Sequence, residues 1–344
     1  MLLVCGPCSA ESFEQVYSSA QMLKDLGVDY FRAGLWKPRT HPNNFEGVKE
    51  SGIEWLKRVK KDFGLRICTE VTSPYTAQIC EENDFDAVWI GARTTQNPFI
   101  VEDIATALQD SKMTVMVKNP LNPDVDLWLG AIERLEKHGI KSVMAIHRGF
   151  STEYNRYRQS PLWRIPLELK QLRGDIPIIC DPSHIAGDNL YVKDIVTTAV
   201  SIGFDGLMIE THINPSEALT DAKQQLDIKQ LSSLLGSLPN LNNTFSLVDK
   251  KINSLRGQID DIDDTIIRAL RDRMQVSREI AKIKKDEKII IYQADRWQKV
   301  LDNVLENAKK SDLNVAFVKE LYEIIHQESI KEQDLIINKS EDKE

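Results

Sequence analysis

Two hydrophobic periods divide this chain. Up to about residue 238, apolar runs of roughly six residues alternate with segments of helical period, eight times. The runs are Leu2–Gly6, Tyr30–Leu35, Arg66–Val71, Ala87–Ala92, Thr114–Asn119, Ser142–His147, Pro177–Asp181 and Gly206–Thr211. They are nearly all apolar rather than alternating, the pattern of parallel strands covered on both faces. Eight βα units in roughly 240 residues predict an α/β fold, a (β/α)8 TIM barrel over residues 1–238. A doubly wound sheet is the alternative, but no glycine-rich dinucleotide turn supports it.

A polar stretch from Pro239 to Thr244 breaks this pattern and predicts a linker at 239–247. Beyond it, Val248, Ile252, Leu255, Ile259, Ile262, Ile266, Ala269, Arg273, Val276, Ile280 and Ile283 recur at steps of four and three. That spacing predicts a long amphipathic helix with a heptad seam. A second helix is expected from near Asp295 and a third from about Asn314 to Asp334. Together they predict a separate all-α three-helix domain over 248–338, with a disordered charged tail at 339–344.

Composition narrows the function. The 344 residues suffice for two domains, and a formal net charge of −8 argues against a general nucleic-acid binder. No apolar run reaches membrane-spanning length, and no signal peptide is read at the start. Five scattered cysteines argue against a disulfide framework and for a reducing cytoplasm. Cys5-Gly-Pro-Cys8 copies a thioredoxin-type motif, but too little chain precedes it for that fold.

In a barrel the chemistry belongs at the C-terminal strand ends. The stretch Phe31–Thr40, FRAGLWKPRT, leaves the sheet at Pro38 and carries Arg32, Lys37 and Arg39. Arg93, Lys118 and Arg148 end later strands, beside Glu70, His147 and Asp181. Singly, each cation reads as surface charge. Together they repel unless an anion neutralises them, so the rim is expected to bind phosphates and a carboxylate. Cys8, His184, Glu210 and Asp221 fall at the same end. Thiolate, imidazole and carboxylates suit Mn, Fe, Co or Zn better than Ca or Mg.

In the helical part, Arg273 stands in the seam, where an unpaired guanidinium is costly and a bound anion explains it. Arg256, Asp263, Ser277 and Lys284 flank it; Arg296 opens the second helix, and Ser329 and Gln333 end a polar row on the third. Simple coiled-coil dimerisation is the competing reading.

These residues resemble two families. GPCSAES, KPRT, GAR at Gly91–Arg93, HRG at His147–Gly149, DPSH at Asp181–His184, IETH at Ile209–His212 and LTDA at Leu219–Ala222 resemble 3-deoxy-D-arabino-heptulosonate 7-phosphate (DAHP) synthase of type Iβ, the first enzyme of the shikimate pathway. The sister family making 3-deoxy-octulosonate 8-phosphate differs where KPRT stands. The resemblance implies a divalent metal, manganese first, on Cys8, His184, Glu210 and Asp221. It implies phosphoenolpyruvate (PEP) on Arg32, Lys37, Arg93, Lys118 and Arg148, and the phosphate of erythrose 4-phosphate on Arg39 and Thr40. Lys118 and His147 are the candidates for proton transfer. Cys5 stands where a small residue is usual, so a Cys5–Cys8 disulfide is expected to expel the metal under oxidation.

Residues 246–335 resemble the all-helical chorismate mutases, which convert chorismate to prephenate. That resemblance implies chorismate or prephenate on Arg256, Arg273, Lys284, Arg296, Ser329 and Gln333, with Lys284 and Gln333 at the ether oxygen. It also implies an intertwined homodimer with Arg256 reaching the partner's site. Where the family often has a Glu for the substrate hydroxyl, this chain has Trp297. The fusion further implies feedback control of the barrel by chorismate or prephenate; a helical domain that only senses ligand or dimerises is the alternative.

Overall fold

A computed structural model of the chain describes residues 1–39, 41, 43–152, 157–238 and 247–338, without the side chains of 247–255, 257–258 and 261. Thr40, most of the expected linker and the tail lie outside the described residues. The chain forms two compact units, Met1–Asn240 and Leu241–Glu344.

In the first unit eight parallel strands close into a barrel in sequence order. They are β1 Leu2–Gly6, β2 Tyr30–Arg32, β3 Arg66–Val71, β4 Ala87–Ile90, β5 Thr114–Lys118, β6 Val143–His147, β7 Ile178–Cys180 and β8 Gly206–Glu210. Closure pairs Leu2 with Gly206 and Gly6 with Glu210. Several strands end before their apolar runs do. At the end of β2 the backbones approach closely: a Cβ on Gly6, whose φ is +147°, would lie 2.1 Å from the Arg32 carbonyl oxygen. Past Arg32, Gly34 N–H donates to the Cys8 carbonyl at 3.3 Å.

The strands are covered on both faces. Val4, Tyr30, Cys68, Trp89, Met116, Ile146 and Met208 fill the barrel interior. Cys5, Phe31, Val117, Ala145 and Ile209 pack outward against the helices. Because side chains alternate along a strand, register decides what faces the site. Arg32, Lys118 and Glu210 fall two residues after inward-facing Tyr30, Met116 and Met208, so they face inward. His147 follows outward-facing Ala145 by the same step and faces the helix layer.

The second unit has three described helices, a long one at Leu247–Asp286, a second at Ala294–Lys310 and a third at Val315–Asn338. The expectation that the heptad seam faces the interior needs correction. Within one chain the long helix buries Ser277, Ala281 and Lys284, on the flank of the seam, while Ile259, Ile262, Ile266, Val276, Ile280 and Ile283 are 43–61 % exposed. Length explains part of this: 40 residues make a rod of roughly 60 Å, and the third helix's 24 residues cover only about 36 Å of it.

Candidate active sites

The inward register brings charge to the C-terminal rim. There a cavity of about 420 Å³ is lined by Lys37, Arg39, Arg93, Lys118, Arg148 and Arg158, with Glu70, His184 and Asp221. Its Gly91 makes room for Glu70, whose Oε1 a Cβ would meet at 2.1 Å.

Arg32 lies deeper. It is 1 % exposed and its Nη2 donates to Glu210 Oε1 at 3.0 Å, while Trp89 lies under the guanidinium with its ring centroid 4.8 Å away. Burial opposes the Arg32 charge, yet Glu210, Cys8 and Asp181 outweigh it and hold the pKa above its ordinary value. Its Nε and Nη1 are buried with no hydrogen-bond partner among the described residues. Two unused donors on a buried cation are unfavourable unless an anion meets them.

The metal candidates converge from three strand ends and a loop. Ligand atoms of Cys8, Glu210 and Asp221 lie within 4.8 Å of one another. Cys8 Sγ is 3.5 Å from Asp221 Oδ2, and His184 Nε2 is 3.8 Å from Glu210 Oε1. The other ring nitrogen of His184 is 2.8 Å from Asp181 Oδ2, an ion-pair distance without hydrogen-bond alignment. Local sequence fixes this: Asp181 caps the short helix Pro182–Ala186, with Pro182 opening it and Asp181 Oδ1 accepting from His184 N–H at 3.1 Å. Burial holds the His184 imidazole below its ordinary pKa, hence neutral, as a ligand must be. Burial opposes ionisation of Asp181 and Glu210 as well. The cations Lys118 and Arg32 beside the first, and Arg32 and Lys37 beside the second, still keep both carboxyls ionised. Asp221 sits in the left-handed region at φ 47°, ψ 38°, a conformation that costs about 1 kcal/mol and recurs at functional sites.

Lys118 Nζ donates to Asp181 Oδ2 at 2.7 Å, and Lys37 Nζ donates to the Cys8 carbonyl at 2.9 Å and to Cys8 Sγ at 3.1 Å. Arg39 Nε donates to the Phe45 carbonyl at 3.0 Å. Arg148 is held by Asn119, whose Oδ1 accepts its backbone N–H at 2.7 Å, and burial lowers the Arg148 pKa to about 10. Arg93 is exposed at the mouth.

One expectation needs correction. His147 is not at the cavity: its ring packs against Phe150, Trp163 and Phe204 at centroid distances of 5.7, 5.2 and 5.9 Å. Its outward register excludes it from proton transfer at the rim. Cys5 packs in the outer layer, while Cys8 Sγ lies beside Lys37 and Asp221. Both are free, and burial pushes each up to about 12, which makes them poor thiolates by protein groups alone.

Other participants escaped the sequence reading. Arg158 Nη1 donates to Asp221 Oδ1 at 3.1 Å and to Gln224 Oε1 at 2.8 Å. Gln224 Nε2 donates to Glu210 Oε2 at 2.6 Å, and Gln225 Oε1 accepts from Cys8 N–H at 3.0 Å. The two amides carry no charge, so a search for charge passes over them; their signal is adjacency to Asp221.

In the helical unit Arg273, Lys284, Ser329 and Gln333 come together. Arg273 Nη1 donates to Ser329 Oγ. Lys284 Nζ donates to Gln333 Oε1 at 3.1 Å and to the Ile291 carbonyl at 2.6 Å, while Gln333 Nε2 donates to Ser277 Oγ at 3.1 Å. Burial lowers the pKa of both cations. Arg256 and Arg296 are exposed. Arg256 is seventeen residues before Arg273 on the same helix, roughly 25 Å along its axis, so one chain cannot bring both to one ligand.

The first unit is thus a (β/α)8-barrel enzyme domain whose rim gathers cations beside a candidate metal position. The chain belongs to the DAHP synthetase I family, whose model matches residues 1–245, and residues 255–334 match chorismate mutase type II. Phospho-2-dehydro-3-deoxyheptonate aldolase of Thermotoga maritima is 29 % identical over 70 % of this chain and 69 % of its own length. A 2-dehydro-3-deoxyphosphooctonate aldolase of Campylobacter jejuni is 28 % identical over 71 % of this chain and 98 % of its own. The crystal structure of the Thermotoga maritima DAHP synthase superposes with a TM-score of 0.62 at 27 % identity, covering 68 % of this chain and 67 % of that one. The chain therefore joins a DAHP synthase domain to a chorismate mutase domain, two enzymes of aromatic biosynthesis.

Proposed function

We propose that the barrel condenses PEP with erythrose 4-phosphate, giving DAHP and phosphate, and that the helical unit rearranges chorismate to prephenate. The observation that carries the first reading is Arg32, buried with two unused donors beneath a cationic rim. Arg32, Lys37, Arg93, Lys118 and Arg148 bind the PEP phosphate and carboxylate. Arg39 and Thr40 take the aldose phosphate. The relatives include both heptulosonate and octulosonate aldolases, and KPRT favours the four-carbon aldose.

The donors Cys8, His184, Glu210 and Asp221 fit a divalent cation, manganese first among Mn, Fe, Co and Zn. Bound there, such an ion supplies Lewis-acid polarisation of an aldehyde oxygen. The protein's own groups do the rest. The cations offset repulsion between two anionic substrates and hold the PEP methylene carbon against the aldehyde carbon. The new C–C bond forms there, a proton reaches the aldehyde oxygen, water adds at the former enol carbon and phosphate leaves. Lys118, inward-facing and bonded to Asp181, is the candidate for that proton.

Chorismate rearrangement needs no nucleophile. Arg273 with Arg296, and Arg256 from a second copy, fix the carboxylates, while Lys284 and Gln333 bond the ether oxygen as it breaks. The exposed isoleucine row beside Arg256 supports a homodimer. Prephenate or chorismate bound in the helical unit inhibits the barrel, a coupling that requires different affinity in two states of the protein. A unit that only dimerises leaves the polar cluster around Gln333 without a use. Among the described residues no helix is long and apolar enough to cross a membrane, and the cytoplasm is the proposed location.

The test is phosphate release from PEP with and without erythrose 4-phosphate, after EDTA, after Mn²⁺ restoration, and with prephenate added. Release that needs both substrates and metal is expected. Release with a five-carbon aldose phosphate instead would move the barrel to the octulosonate reaction.

A further inference from the structure

The third helix carries an imidazole outside the polar contacts of Arg273, Lys284, Ser329 and Gln333. His326 lies three residues before Ser329 and seven before Gln333, so the three share one helical face. Trp297 of the second helix lies flat on its ring, with centroids 4.0 Å apart and planes at 4°. Tyr292 borders the ring at 6.1 Å. His326 Nε2 is shielded from solvent and has no hydrogen-bond partner among the described residues. A polar atom held in that state is unfavourable unless a ligand completes it. Desolvation first, then Arg273 and Lys284, lower the ring's pKa below its ordinary value, so the imidazole is neutral at pH 7. A neutral imidazole offers one donor and one acceptor nitrogen.

Chorismate presents two carboxylates, an ether oxygen and a ring hydroxyl. The cations of the cluster match the carboxylates, and Lys284 with Gln333 matches the ether. The hydroxyl both donates and accepts, and a cation cannot accept its proton. We propose that His326 Nε2 hydrogen-bonds the ring hydroxyl of chorismate, with Trp297 stacked behind the imidazole to hold it in place. His326 is then a substrate-binding residue and Trp297 a positioning residue. The inference rests on the reading of the helical unit as a mutase. It also gives Trp297 a use at a position where the resemblance led to a glutamate.

The test uses the full chain. His326→Phe keeps a ring for Trp297 to stack on and removes the nitrogen; His326→Gln returns an amide at similar reach. For chorismate, kcat/KM is expected to fall about 10–50-fold in His326→Phe, and to recover most of that in His326→Gln. A chorismate analogue lacking the ring hydroxyl is the second arm: wild type and His326→Phe should bind it equally. Trp297→Ala is expected to lower kcat/KM for chorismate but not affinity for the analogue, with Trp297→Phe restoring it. Loss in His326→Phe that is equal for chorismate and analogue, or no loss at all, overturns the assignment. If His326→Phe does not fold, wild type alone decides, because equal affinity for chorismate and analogue is incompatible with the bond. Wild type without any chorismate turnover defeats the mutase reading and this inference with it, an outcome distinct from an active wild type with an indifferent His326.

Discussion

Cys8 and Asp221 are 213 residues apart in sequence and 3.5 Å apart in space, whereas Arg256 and Arg273 share one helix and stay roughly 25 Å apart. The two units solve opposite problems. Barrel closure lays the last strand beside the first, so loops from both ends of the unit supply one cavity from one chain. A straight helix keeps its residues at fixed distances, so distant cations can converge only across copies. The barrel rim should therefore respond to single substitutions alone, and the helical site to combinations of chains.

The largest effect is expected at Lys118. Lys118→Met removes an inward-facing cation, and loss of one preorganised charged donor costs roughly 10³-fold in turnover. Asp181 keeps His184 at 2.8 Å, so Mn²⁺ affinity by titration calorimetry should change only a few-fold. Mutase turnover should be unaffected. Near-normal phosphate release would remove Lys118 from the chemistry.

Next is Arg273→Ala, expected to lower kcat/KM for chorismate by roughly 10²–10³-fold while phosphate release stays normal. Its thermal midpoint should not fall, because a half-buried guanidinium whose pKa burial already lowers adds little to the fold. A large fall in stability with modest loss of activity would make Arg273 a packing residue.

What the sequence showed of each unit follows the same contrast. In the barrel, apolar runs located the strands, and the rule that chemistry sits at strand C-termini then placed Arg32, Lys118, Glu210 and Asp221 together. The rule failed at His147 because position alone does not say which way a side chain faces; counting by twos from Ala145 would have turned it outward. Gln224 and Gln225 were invisible because neutral amides leave no mark in a charge pattern. In the helices, the three-four spacing located the long helix but did not say which face this chain covers itself. The flank with Ser277 and Lys284 was legible beside the isoleucine seam, but nothing in the spacing said that this flank, rather than the seam, meets the third helix. His326 was missed because it stands where apolar Ile324 and Ile325 give way to polar Gln327 and Glu328, and it acquires meaning only from Trp297 on another helix.

The dimer reading is tested by mixing two dead variants. Arg256→Ala and Arg273→Ala should each be nearly inactive as mutases. If Arg256 serves the partner's site, a mixed two-fold dimer carries both lesions in one site and none in the other. Random exchange of subunits then restores roughly a quarter of wild-type activity. Ile262→Asp should abolish the recovery by opposing association. No recovery under conditions where exchange is demonstrated would place Arg256 outside the site.

The smallest effect on activity is expected at His147, and it separates the outer layer from the rim. His147→Phe should leave phosphate release within about twofold, since the ring faces Trp163 and Phe204 rather than the cavity. Its effect should appear in acid stability. Burial lowers the His147 pKa to about 3, against about 6.5 for an unfolded chain. Between those values the unfolded state binds the proton and the native state does not, so stability falls as pH drops below about 6.5 and continues to fall toward 3. At pH 5 the loss is about 2 kcal/mol. Phenylalanine cannot take up that proton, so the thermal midpoint of His147→Phe should fall less steeply than wild type between pH 6.5 and 4. Parallel curves would mean that this imidazole titrates in the folded barrel much as it does in water, and activity lost at neutral pH would return it to the rim.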